Sequence, residues 1–148
     1  MFVTINSGSK FMTNINPYLN FNGNCREAMS FYKECIGGEL ALQTIAGSRI
    51  EDECPAAMKQ QILHASLIMD GIVLMGSDMT GPDGFIKGNT MALSVNCSSE
   101  KEITDFFFKL SQGGKILHPL KKEFHGATFG IFTDKFGIRW MLNYDKRY

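Results

Sequence analysis

The chain lacks a CxxC pair, a long apolar run, a basic cluster and a closely spaced glycine signature, and each absence removes a class of function. Its four cysteines, Cys25, Cys35, Cys54 and Cys97, show no zinc-ribbon spacing. Cys25 and Cys35 fall on one expected helix, about 15 Å apart at a rise of about 1.5 Å per residue, too far to bridge. Free thiols in a reducing cytoplasm are therefore expected. No apolar stretch approaches the roughly 18 residues a membrane-spanning helix needs. Fifteen basic residues balance fifteen acidic ones, and no basic run exceeds Lys121-Lys122, which argues against a nucleic-acid partner. Gly81, Gly84 and Gly88 lack the GK[ST] of a phosphate loop, and Ser66 and Ser94 lack a GxSxG elbow. The acidic run Glu51-Asp52-Glu53 reads as a solvated loop, with no second carboxylate placed to converge on it.

What is present is ordinary globular material, 148 residues at 44% hydrophobic and 20% charged. Such a length buries roughly 68–70% of the unfolded surface, enough for a core without staples. Residues 1–12 have neither a basic n-region nor a continuous apolar h-region, and are expected to form a flexible extension.

An internal repeat organises the remainder. Phe31-Tyr32-Lys33 recurs as Phe107-Phe108-Lys109, and Gly37-Gly38 as Gly113-Gly114. Leu19-Asn20-Phe21-Asn22 matches Leu93-Ser94-Val95-Asn96, and Gly71 to Met75 echoes Gly137 to Met141. Asn24 and Ser99 each precede a helical stripe with Glu three residues on, the pattern of a capping box. Ile62–Met69 and Ile72–Ser77 flank Asp70-Gly71, a hairpin signal, and Thr128–Thr133 and Ile138–Tyr144 flank a longer turn. Glu39–Ala46 and Lys115–Phe124 complete two sets of strands. The expected order is β-α-β-β-β twice, an α+β chain with a first module over 13–78, a connector over 79–89 and a second module over 90–148. The connector has the composition of a lid.

Pro17-Tyr18-Leu19-Asn20-Phe21, Gly23 to Ala28 and Phe31-Tyr32 stand early in the chain, and Leu63-His64-Ala65, Leu74 to Asp78 and Gly130 to Trp140 follow. Together these segments resemble the opening and later segments of the PhnB-like branch of the vicinal-oxygen-chelate (glyoxalase/bleomycin-resistance/dioxygenase) superfamily. The resemblance implies a curved mixed sheet around a small-molecule cup, commonly within a homodimer. The methyltransferase label attached to such proteins is not supported by Asn22-Gly23-Asn24-Cys25, which lacks the glycine spacing of a nucleotide-like cofactor turn.

Strand alternation then assigns faces. Asn16, Tyr18 and Asn20 lie opposite the first helix. Thr90, Ala92, Ser94 and Asn96 lie opposite the second, with Met91, Leu93 and Val95 packed beneath it. The Asp70-Gly71 turn sets His64, Ser66, Met75 and Ser77 on one face, and Arg139, Met141 and Asn143 share another. The candidate ligand-binding residues are thus Asn16, Tyr18, Asn20, Ser66, Met75, Thr90, Ser94, Arg139, Met141 and Asn143, with His64 the candidate catalytic group. Of the three histidines, His64, His118 and His125, only His64 is expected in the cup, and no HxH or HxxxH spacing joins them.

Metal-dependent relatives place His and Glu on the first and last strands of each module. The matching Asn16 (or Pro17), Met75, Thr90 and Met141 offer neither imidazole nor carboxylate, so no metal and no other cofactor is expected. Three readings remain: a binder of a small polar or aromatic molecule; a metal-independent or atypical-metal lyase, isomerase or transferase using His64 as base and Arg139 as anion anchor; and a degenerate module kept for dimerisation.

Overall fold

A computed structural model of the protein describes residues 13–123 and 126–147. The expected extension at 1–12, the strand end at Phe124, and His125 lie outside the described residues. Backbone contacts divide the chain into two compact units, the first ending at Phe85 and the second beginning at Ile86, with only Glu34–Ile36 assigned across that line.

The first unit comprises β1 (Tyr18–Asn20), α1 (Cys25–Ile36), β2 (Glu39–Thr44), β3 (Ile62–Met69) and β4 (Ile72–Ser77). The second comprises β5 (Leu93–Asn96), α2 (Glu100–Leu110), β6 (Lys115–Lys122), β7 (Thr128–Thr133) and β8 (Arg139–Tyr144). Each unit is a four-stranded sheet, ordered β1-β4-β3-β2 and β5-β8-β7-β6, so the duplicated β-α-β-β-β order is the observed one. The first and last strands of each unit run parallel and the other pairs antiparallel. Two 3-10 turns, Glu51–Glu53 and Ala56–Met58, interrupt the segment between β2 and β3.

Each helix covers one face of its own sheet. On α1, Cys25, Ala28, Met29 and Tyr32 are fully buried. A Cβ at Gly76 of β4 would stand 3.1 Å from the Phe21 ring and 3.3 Å from Cys25 Sγ, so the missing side chain lets the helix settle on the strand. On α2, Ile103, Phe106, Phe107 and Leu110 are buried. Phe107 lies over Gly130 and meets Phe132 edge-on at 5.1 Å between centroids. Gly38 and Gly114 open β2 and β6 at the same point of the repeat. A Cβ on either would collide with backbone of the adjacent strand, Ile68 O at 2.6 Å in the first unit and Thr133 O in the second.

The expected twin capping boxes are not twins. Ser99 accepts from Glu102 N at 3.0 Å, and the Glu102 carboxylate reaches back to Ser98 N. Asn24 makes no such bond. The α1 end is held by Asp78, whose Oδ1 accepts from Gly23 N and Cys25 N at 2.9 and 3.0 Å while Oδ2 accepts from Ile62 N at 2.8 Å. A buried carboxylate from the end of β4 outcompetes a local amide because it satisfies orphan N–H groups of the helix and a strand start together.

The repeat also slides. Tyr18 pairs with Met75 while Ser94 pairs with Met141, so Tyr18 corresponds to Ser94 and Leu19 to Val95, two residues from the match the sequence offers. Met91, expected beneath α2, is 81% exposed. Strand alternation does not reach it because β5 begins only at Leu93.

All four cysteines are free. Burial pushes Cys25 and Cys97 up to about 12 and Cys35 to about 11, which keeps these thiols protonated and unreactive.

Candidate functional site

The helix-free face of each sheet is where side chains are left to meet a ligand. In the first unit, ladder partners draw a row across it: Tyr18 beside Met75, Met75 beside Ser66, Ser66 beside Ala41. A second row sets Asn20 beside Ser77 on one side of the sheet and His64 beside Gln43 on the other. Tyr18 Oη lies 3.0 Å from His64 Nδ1, with the ring centroids 5.6 Å apart. Burial lowers the His64 pKa and raises that of Tyr18, so both groups are held neutral. His64 Nε2 is buried and, among the described residues, has no hydrogen-bond partner.

The other sequence candidates of this unit differ in what they can offer. Asn20 is exposed. Asn16 precedes β1 and bonds Asn14 Oδ1 at 2.9 Å. Ser66 is 2% exposed, enclosed within its row. Ser77 is equally buried and committed to the fold, its hydroxyl donating to Leu63 O at 2.7 Å and accepting from Met79 N at 2.9 Å.

In the second unit the corresponding row runs Ser94, Met141, Ile131, His118. Asn143 sits beside both Asn96 and Phe129. A depression of ≈ 480 Å³ opens over the row. Its walls are largely apolar, from Met91, Ala92, Leu117, Ile131 and Met141. Asn89, Thr90, His118 and Arg139 supply the polar groups. Arg139 is half-buried, its Nε is closed off from solvent without a partner, and among the described residues it joins no ion pair.

His118 is a correction to the sequence reading, which placed only His64 on an open face. The β6–β7 register shifts on both sides of His118, next to Pro119, which has no N–H for the ladder. Simple alternation therefore fails there, and His118 turns into the depression. Its Nδ1 lies 2.9 Å from Pro119 O and its Nε2 3.5 Å from Glu123, so both ring nitrogens face acceptors.

Comparison with known proteins fits this duplicated architecture. The paired βαβββ units are those of the glyoxalase/bleomycin-resistance fold, shared with a glyoxalase-related enzyme from Fulvimarina pelagi at TM-score 0.60 and 18% identity, over 90% of this chain and 89% of that one. Residues 13–143 match the family model described as 3-demethylubiquinone-9 3-methyltransferase, and the chain belongs to this PhnB-like family. It is 31% identical to the protein YjdN of Escherichia coli K12, over 90% of this chain and 96% of that one. It is 41% identical to PA1353 of Pseudomonas aeruginosa, whose crystal structure superposes at TM-score 0.77 over 90% of this chain and 98% of that one. A PhnB protein from Bacillus cereus follows at 29% identity and TM-score 0.66, with coverage of 89% and 99%.

Proposed function

We propose that this chain binds a small organic anion with an apolar body on the open face of its second unit, with Arg139 contacting the anion and no divalent metal between them. A half-buried guanidinium in a largely apolar depression, its Nε enclosed without a partner among the described residues, carries the reading. Withdrawing a cation from water is costly unless an anion meets it, and a guanidinium is shaped to take a carboxylate or phosphonate by two parallel hydrogen bonds. A space of ≈ 480 Å³ suits a ligand of that kind, small-molecule sites usually running to about 300–1,000 Å³. Thr90 and Asn89 supply further polar contacts, and Met141 and Ile131 the apolar floor.

The residues do not fit the metal of the metal-dependent relatives. Asn16, Met75, Thr90 and Met141 present amide, hydroxyl and thioether groups, and the ladder sets Tyr18 and Ser94 beside the two methionines. None is the imidazole or carboxylate such ions prefer. Among the described residues no three His, Cys, Asp or Glu side chains gather as a metal site. Methyl transfer is not part of the proposal either, since the β1–α1 turn lacks the glycine spacing for a nucleotide-like cofactor and its backbone N–H groups are taken by Asp78. The same reading has the protein acting in the cytoplasm as a two-fold homodimer, for which light scattering should give twice the 16.5 kDa chain mass.

The test is calorimetric titration with benzoate and phenylphosphonate against neutral benzamide. The anions should bind more tightly, and Arg139→Gln should weaken them about 10–100-fold, the worth of a charge-assisted contact of about 1.5–3 kcal/mol. Equal binding of benzamide, or an affinity untouched by Arg139→Gln, would reject the proposal.

A further inference from the structure

The first unit also carries an enclosed polar atom without a partner among the described residues, His64 Nε2. Tyr18 and His64 form one hydrogen bond, 3.0 Å from Oη to Nδ1, and a single proton must lie along it. In one arrangement the phenol donates to the Nδ1 lone pair and the imidazole proton sits on Nε2. In the other, Nδ1–H donates to the phenol oxygen and Nε2 carries the lone pair. The phenol O–H is the stronger donor of the two, and the imidazole lone pair is the stronger acceptor. Burial disfavours the charged form of each group, so the contest is between neutral partners.

We infer that Tyr18 holds His64 as its Nε2–H tautomer, so that the open face of the first unit offers a bound molecule a hydrogen-bond donor and not a base. Tyr18 is then a positioning residue and His64 the group that meets the ligand. Among the described residues Nε2–H is buried without a hydrogen-bond partner, a state that an oxygen acceptor relieves. The chemical class is a carbonyl or carboxylate oxygen. Ser77 spends its proton on Leu63 O, and Ser66 is buried in the adjacent row. The assignment reverses the base role that His64 would have in an enzyme reading, because a protonated Nε2 has no in-plane lone pair left to take a proton and the lone pair on Nδ1 is engaged by Tyr18.

Nitrogen-15 NMR of histidine-labelled protein at neutral pH reads the tautomer directly, with His64→Gln identifying the resonances. The wild type should show a protonated Nε2 and an unprotonated Nδ1 at His64. Tyr18→Phe, which keeps the ring, should erase that bias and bring the two shifts towards each other. A purely structural tyrosine would leave the pattern unmoved. Dimethylacetamide, an acceptor that donates nothing, should then shift the wild-type Nε2 resonance. A wild-type proton on Nδ1, a pattern indifferent to Tyr18→Phe, or an Nε2 that ignores the amide would each overturn the inference. None of these outcomes depends on Arg139, so the anion site of the second unit stands or falls separately.

Discussion

The two units share an element order and a sheet order but secure their helices by different means and dress their open faces in different chemistry. In the second unit, α2 is capped by its own neighbours, Ser99 and Glu102. In the first, α1 is capped by Asp78, more than fifty residues further along the chain, which also holds the start of β3. The first helix is therefore tied to its sheet by a long-range polar contact, whereas the second is complete by itself. On the open faces, the row Tyr18, Met75, Ser66, Ala41 corresponds to Ser94, Met141, Ile131, His118. Methionine persists at the position next to the first strand, and everything around it has changed. A duplicated frame tolerates this because backbone pairing fixes the sheet, leaving outward side chains free to diverge.

Asp78→Ala is the sharpest way to break the comparison. It strips three backbone N–H groups of their acceptor, Gly23, Cys25 and Ile62, the last two in buried surroundings. Orphaned buried donors cost about 1–3 kcal/mol each, and the losses overlap, so chemical denaturation should register about 3–5 kcal/mol. A loss below about 1 kcal/mol would mean that the helix finds another cap and that the units are more alike than their hydrogen bonds suggest. Asp134 offers a second view of the same device, since it accepts from Phe136 N, Ile138 N and Trp140 Nε1 around the turn before β8.

How much of this was legible in the sequence follows from the range of each interaction. The strands, both helices and the Asp70-Gly71 hairpin were readable because periodicity and turn chemistry are local. Alternation from that turn also put His64, Ser66 and Met75 on one face, as the β3–β4 register does. Three things were not local. Asp78 as a cap needs the folded sheet. His118 needs the bulge beside Pro119, for which the proline was the available signal. The two-residue slide of the repeat, with Tyr18 and not Asn16 beside Met75, is a matter of ladder register. Accessibility was equally out of reach, since alternation names a face but not that Ser66 is closed within it.

A gentler probe uses the neutral His64, for which the second unit has no open-face counterpart in the ladder: Phe129 stands at the matching position. Burial lowers the His64 pKa below its ordinary 6.5. Above 6.5 the folded and unfolded chains both hold it neutral, and it adds no pH dependence. As pH falls through 6.5 the unfolded chain gains a proton that the folded chain refuses, so stability drops until the folded pKa is passed and then levels. Denaturation midpoints followed from pH 7 to 5 should therefore fall less steeply in His64→Gln than in the wild type. Parallel curves would remove His64 from the acid response and weaken the case for a neutral imidazole on this face.

The smallest effects separate the two helix starts. Ser99→Ala removes a side-chain acceptor that Glu102 N uses, and an N-cap of this kind is typically worth about 1 kcal/mol. Asn24→Ala removes a residue in the same sequence context that bonds only the exposed Asn22 N, at 3.3 Å, and none of the first-turn amides of α1. Its cost should stay within about 0.5 kcal/mol, the usual range for surface substitutions away from special contacts. Paired denaturation curves of the two variants decide the matter. If Asn24→Ala costs as much as Ser99→Ala, the local box operates in both units and Asp78 is an addition to it. If only Ser99→Ala is felt, the same three-residue spacing has been put to use once and bypassed once, according to whether a buried carboxylate stood within reach.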